Sequence, residues 1–340
     1  VPSFYQDFEA RNRGDKDYVS TTRDVRRLIG ELRKDKIVSL VLDLRGNGGG
    51  HLTEATALTG LFINQGPVVQ LRDTNGRIEV LDDPEPTVAY NGPLVVLVDR
   101  FSASASEIFA AAIQDYRRGI VIGQQTFGKG TVQNLYELDQ YSHSRSDRGL
   151  GQLTLTIGKF YRVNGGSTQH RGVEPDVPLP SPIDIEEVGE SALPGALPWD
   201  RIPGVPFRLE SRMPKTPIAT LALEERARAD RDPNYRWLVS DLAALDTIRK
   251  QTSLSLNLKE RQAERIRLDT ERLARENARR TAQQLPLLKA VEDFESGTTP
   301  DSVLEQATQI MGDMVLGVRP GQPATRTVKA ESAQADSKSD

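Results

Sequence analysis

The sequence predicts an α/β fold: a mixed-sheet core followed by a mainly helical C-terminal domain. Three observations carry that expectation. Residues 37–44 and 94–98 are short, branched apolar runs with the length of strands buried on both faces. Such runs alternate with stretches of helical period, as in α/β folds. Beyond the Pro-rich stretch 175–182, strand-like runs give way to charged, Ala-, Gln- and Arg-rich sequence.

Residues 20–35 place Val25, Leu28, Ile29 and Leu32 at helical spacing behind the cap candidates Ser20, Thr21 and Thr22. The strand at 37–44 breaks at Gly46-Asn47-Gly48-Gly49-Gly50, and helical spacing follows over 52–63. Asn75-Gly76 is a hairpin signal between strands at 67–72 and 77–81. A second buried strand at 94–98 precedes a helix from near Ser104 to about Asp115. A short strand at 119–122 and alternating runs at 131–138 and 153–162 complete the core, with a polar loop at 140–151. Farther on, 221–250, 258–280 and 301–315 read as helices, and Glu271/Arg275 and Glu276/Arg280 have i,i+4 pair spacing. The organisation is a core over 1–180, a helical extension over 181–319 and a disordered tail over 320–340.

The chain has 340 residues, enough for about two domains, and its net charge of −4 argues against nucleic-acid binding. No run approaches the ~18 apolar residues of a membrane span. The absence of cysteine removes thiol catalysis, disulfides and Cys-based zinc sites. Three histidines, His51, His143 and His170, leave little for a Ser-His-Asp triad or a His-rich metal site. His51 reads as a surface residue at a helix start. The opening Val1-Pro2-Ser3-Phe4-Tyr5 has no signal segment and reads as a fragment or processed product.

Three segments can carry chemistry. The glycine cluster after Asp43-Leu44-Arg45 frees backbone N–H groups to face a ligand, and reads either as an oxyanion site or as a tight strand-to-helix turn. It misses the Gly-x-Gly-x-x-Gly spacing of a dinucleotide site. Ser104 lies at a helix start, where orphan N–H groups stabilise a developing oxyanion. Ser104-x-x-Glu107 is equally the pattern of a capping box. Gly123-Gln124-Gln125-Thr126-Phe127-Gly128-Lys129-Gly130-Thr131 nearly matches a phosphate-binding loop. It has Gly130 where a hydroxyl belongs, and a strand follows instead of a helix. In an extended segment Lys129, Thr131 and Gln133 share one face, so Gln133 can orient a basic Lys129; otherwise Lys129 is a solvated loop residue.

In this order, these motifs resemble the C-terminal processing peptidases, and within them the tail-specific subgroup. The resemblance runs from about Val38 to Asp176. It rests on Leu42-Asp43-Leu44-Arg45 with its glycines, Asp99-Arg100-Phe101-Ser102-Ala103-Ser104-Ala105-Ser106-Glu107-Ile108, residues 126–133, Lys159-Phe160-Tyr161-Arg162 and Gly172-Val173-Glu174-Pro175-Asp176. Leu197-Pro198-Trp199-Asp200 resembles the start of the subgroup's C-terminal extension. The resemblance implies a crotonase-like (ClpP/crotonase-type) core and a serine endopeptidase acting through an acyl-enzyme. It makes Ser104 the nucleophile, Lys129 the base and Gln133 its orienting partner. The Gly50 and Ala105 N–H groups become the oxyanion hole, with Glu107 as a capping or supporting residue. It implies no cofactor or metal, and protein substrates recognised by exposed apolar C-termini. It further implies a helical-repeat lipoprotein adaptor and a periplasmic, membrane-associated location. The upstream PDZ module and N-terminal helical region of the family have no counterpart in this sequence.

A lysine base suits the composition, because lysine ordinarily titrates near ~10.4 and acts as a base only away from acids. Residues 123–136 contain no acid. Two rival readings are a crotonase-like enzyme acting on acyl thioesters, without the Ser104/Lys129 pair, and a binding scaffold with a silent site.

Overall fold

The computed structural model describes residues 1–141, 149–210, 213, 216–294 and 300–317. The tail expected to be disordered, and His143 in the polar loop, lie outside the described residues. Helices α1 (Phe8–Asn12) and α2 (Thr21–Lys34) precede β1 (Leu40–Asp43) and α3 (Leu52–Gly60). The hairpin β2 (Gly66–Asp73) and β3 (Ile78–Asp83) leads to β4 (Leu94–Val98), α4 (Ala105–Asp115) and β5 (Ile120–Gly123). Strands β6 (Thr131–Glu137), β7 (Gln152–Tyr161) and β8 (Val177–Pro178) follow. Four helices close the described chain: α5 (Ile218–Ala229), α6 (Pro233–Arg249), α7 (Leu258–Ala282) and α8 (Ser302–Leu316).

The strands form two sheets. One is wholly parallel in the order β1-β4-β5-β8, and the other is antiparallel in the order β3-β2-β7-β6. The mixed α/β core and helical C-terminal region expected from the sequence are therefore both present. The Pro-rich stretch contributes β8, where Pro178 is tolerated because β8 is an edge strand.

Strand β4 is fully buried because it serves two cores. Leu94, Val96 and Val98 face a core shared with α2, α3, α4 and the second sheet, through residues such as Ile29, Leu58, Phe62, Phe109 and Phe160. Val95 and Leu97 face the other way, together with Ile120, Ile122, Val177 and Leu179. That second face is covered by Leu221 of α5 and by Ala307, Ile310 and Met311 of α8. Strand alternation thus explains an unbroken apolar run. Ile310 is fully buried, so Ile310→Ala is expected to cost about 2–5 kcal/mol in a urea titration.

Two expectations need correction, and a third gains finer bounds. The strand at 37–44 shortens to Leu40–Asp43, and Val38 is 70% exposed. The mainly helical stretch expected over 221–250 is present as α5 and α6, parted at Asp232-Pro233. There the Asp232 carboxylate caps α6, and Pro233, lacking an N–H, takes its first turn. Of the two ion pairs expected on α7, Glu276–Arg280 forms at 2.9 Å, but Glu271 pairs with Arg267 and Arg275 crosses to Asp241 of α6. Helix packing brought Asp241 within reach, which the spacing on one helix could not reveal. Among the described residues no helix is long and apolar enough to cross a membrane.

Candidate active site

The three segments singled out in the sequence leave the C-terminal ends of adjacent parallel strands. The glycine turn follows β1, Ser104 follows β4, and the Lys129 segment follows β5. The register aligns Asp43 with Leu97 and Leu97 with Ile122, so the three strands end nearly level. This is where open parallel sheets place their ligands.

Two polar residues pin the glycine turn to the serine segment. The Asp99 carboxylate accepts from the N–H groups of Gly46, Phe101 and Ser102. The Asn47 carbonyl accepts from the Ala103 N–H at 3.0 Å and from the Ser106 hydroxyl at 2.8 Å. Gly49 has φ +101°, and a Cβ there would lie 2.8 Å from the Ala103 carbonyl oxygen, 2.9 Å from Ser104 Cβ and 3.0 Å from the Ala105 nitrogen. Only glycine permits that approach. Gly49→Ala is expected to slow reaction at Ser104 by about 100-fold, the order seen for small misplacements. Labelling of Ser104 by a fluorophosphonate measures the effect, and an unaffected rate would show that the turn does not serve this site.

Ser104 is half-buried and has φ +56°, ψ −111°, a strained conformation for a residue with a side chain. It is the N-cap of α4, but its hydroxyl makes no cap hydrogen bond. The Glu107 N–H donates instead to the Ser104 carbonyl oxygen at 2.9 Å. The cap function is thus carried by backbone, and the hydroxyl is left for other work. The N–H groups of Gly50 and Ala105 donate to nothing within the described residues. Gly50 is exposed and Ala105 is buried.

Lys129 is half-buried and donates from Nζ to Gln133 Oε1 at 2.9 Å. It makes no ion pair among the described residues. Gln133 is exposed and Thr131 is buried. The register against β7 slips between Val132 and Gln133, which face Gly158 and Thr156 and leave Ile157 of β7 without a pairing partner. Gln133 reaches Lys129, as a shared face for the two residues requires.

Glu107 does more than its sequence pattern suggested. Its fully buried carboxylate accepts from the Ser104 N–H at 2.8 Å and the Lys129 N–H at 2.9 Å. It also accepts from the Gly128 N–H at 2.7 Å and the Thr126 hydroxyl at 2.6 Å. One side chain therefore sets the spacing of the Ser104 and Lys129 backbones. Burial pushes its carboxyl up to about 7, while the four donors favour its charged form.

Other supports left no sequence signal. Gln169 Oε1 accepts from the Gly130 N–H at 2.8 Å, and its amide donates to Glu190 at 2.9 Å. Arg100 is buried and donates to the carbonyls of Thr126, Val188 and Ile185. Ile185, Val188 and Glu190 come from beyond residue 180 and meet the site only in the fold. Asn47 meets Ala103 and Ser106 through its backbone carbonyl, which no side-chain pattern announces. His51 is exposed and stacks on Phe8 with ring centroids 6.3 Å apart, in keeping with a surface role. A cleft of about 640 Å³ lies elsewhere, lined by Arg72, Lys159, Leu197 and Ile202 among others, and includes none of the Ser104 site.

Comparison with known proteins shows the family of the chain. Residues 1–179 match the model of peptidase family S41, and the chain belongs to that family. Within it, residues 183–316 match the C-terminal domain of tail specific protease. The chain is 45% identical to the tail-specific protease of Haemophilus influenzae over 308 residues, which is 88% of this chain and 43% of that protein. It is 39% identical over 168 residues to the carboxy-terminal-processing protease of Bartonella bacilliformis, covering 47% of this chain and 37% of that one. A solved photosystem II D1 C-terminal processing protease is 29% identical, with a TM-score of 0.43 over 53% of this chain and 41% of its own. The chain spans less than half the length of these curated relatives. The resemblance read from the motifs is borne out.

Proposed function

We propose that this chain is the catalytic part of a serine endopeptidase working through a Ser104–Lys129 dyad. The observation that carries this reading is the single Glu107 carboxylate holding both the Ser104 and the Lys129 backbone N–H groups. A helix cap alone would not need a lysine segment fixed beside it.

In this mechanism Gln133 orients Lys129 Nζ, and Lys129 in its amine form accepts the Ser104 proton as the hydroxyl attacks a peptide carbonyl. The carbonyl oxygen becomes an oxyanion facing the Gly50 and Ala105 N–H groups, each such donor typically contributing about 3–4 kcal/mol. Lys129 then returns the proton to the leaving amine, the C–N bond breaks, and water later hydrolyses the ester on Ser104. The residues in these roles are supplied by one chain, and none of the steps calls for a metal or cofactor.

The substrates are proteins recognised by exposed apolar C-terminal tails. By family likeness the protein works in the periplasm, associated with the membrane, and with a helical-repeat lipoprotein adaptor. Incubation with an unstructured peptide, followed by mass analysis, tests the reading. An acyl adduct on Ser104 is the expected result. A fully folded protein that forms no adduct there with peptide or fluorophosphonate would overturn it.

A further inference from the structure

The oxyanion turn is braced from an unexpected direction. Arg45 stands immediately before Gly46, between β1 and the glycine run. Its guanidinium donates to the Asp43 carboxylate, from Nε at 3.1 Å and from Nη2 at 2.7 Å. Its other edge grips Asp301, 256 residues away, with Nη1 at 2.9 Å and Nη2 at 2.6 Å. A planar guanidinium held at both edges has little freedom left.

Asp301 is itself fixed. It is the N-cap of α8 and accepts from the Leu304 N–H at 3.0 Å. Helix α8 is locked onto the parallel sheet by Ala307, Ile310 and Met311. Partial burial pushes the Asp301 carboxyl up, but Arg45 and the Leu304 N–H hold it below the usual carboxylate range. The same contact raises the Arg45 guanidinium further above its ordinary value. The chain therefore runs from a docked helix, through one ion pair, to the first residue of the turn that carries the Gly50 N–H.

We propose that Asp301 is a positioning residue for the Ser104 reaction, acting through Arg45 on the oxyanion turn. This inference rests on the dyad reading given above. It makes the helical extension part of the catalytic apparatus, although no described residue of the extension hydrogen-bonds to Ser104.

Two substitutions in the full chain separate positioning from capping. Asp301→Asn keeps a good N-cap but loses the charge that Arg45 pairs with. Asp301→Glu keeps the charge and is the poorer cap. The readouts are the rate of Ser104 labelling by a fluorophosphonate, kcat and KM on a peptide, and thermal unfolding. Expected for Asp301→Asn is a labelling rate and kcat lower by about 10- to 100-fold, with KM and the unfolding midpoint unchanged. Asp301→Glu is expected to label faster than Asp301→Asn while unfolding at a lower temperature. Labelling that follows the cap instead of the charge overturns the inference, as does a wild-type rate in Asp301→Asn. If folded wild type fails to label at Ser104, the dyad reading itself fails, and that outcome is visible before any variant is compared.

Discussion

Ser104→Ala and Lys129→Ala are each expected to reduce peptide cleavage by at least about 10⁴-fold, as loss of a nucleophile or its base does in serine peptidases generally. Both variants should fold. The Ser104 hydroxyl makes no cap hydrogen bond, so its removal leaves the α4 N-terminus with the same backbone contacts. Lys129 loses one bond to an exposed glutamine, while its backbone N–H still reaches Glu107. Lys129→Arg is also expected to be inactive, since a guanidinium stays protonated and cannot serve as a base. Peptide turnover and a urea titration of each variant check both halves of the expectation. Turnover that survives in either alanine variant would remove the dyad from consideration.

Glu107→Gln has the second large effect, and it acts on stability and activity together. Four donors converge on the Glu107 carboxylate. A glutamine amide replaces one accepting oxygen with an NH₂ group, so at least one buried donor meets another donor. Each such loss costs about 1–3 kcal/mol. Misplacement of the Ser104 and Lys129 backbones adds a fall in kcat of about 100-fold. The pH dependence has a definite sign. Burial raises the Glu107 carboxyl from 4.5 to about 7 in the native state. Between those values the native protein binds more protons than the unfolded chain, so this residue makes stability fall as pH rises from 4.5 to about 7, by roughly 3 kcal/mol. Cleavage should rise across the same window, because only the charged carboxylate accepts from all four donors. Unfolding and kcat measured against pH, wild type beside Glu107→Gln, test this. An identical pH slope of stability in the two proteins would exclude Glu107 as its source.

The local parts of the fold were legible in the sequence, for physical reasons. Strand β4 is five apolar residues long because both its faces are buried, and β5 is apolar and buried on both faces in the same way. Asn75-Gly76 closes the β2–β3 hairpin through the left-handed backbone that Gly76 provides. The Ser104 helix start, the glycine turn and the glycine-flanked lysine could each be located, though each had a plainer explanation. Parts that depend on distant segments could not be read. Nothing near Glu107 announced that Gly128 and Lys129 would donate to it. Nothing near Asp301 named Arg45, and the charged 181–319 region gave little hint that α5 and α8 would share a core with β4 and β5. The register slip that leaves Ile157 of β7 unpaired escaped because alternation describes an ideal strand.

The covering of the parallel sheet by α8 also sets a timetable. A protein is made from its N-terminus, so the glycine turn, Ser104 and Lys129 all exist in the growing chain well before Ile310 and Met311. Until α8 has been synthesised, Val95, Leu97, Ile120 and Ile122 have an incomplete lid and the sheet carries a wet apolar face. Contacts this distant in sequence close late, because the intervening chain must be ordered first. A segment made later therefore finishes a sheet whose strands are made earlier. A growing chain that already holds Arg45 and the glycine turn still lacks Asp301, the acid that pairs with Arg45 from the start of α8.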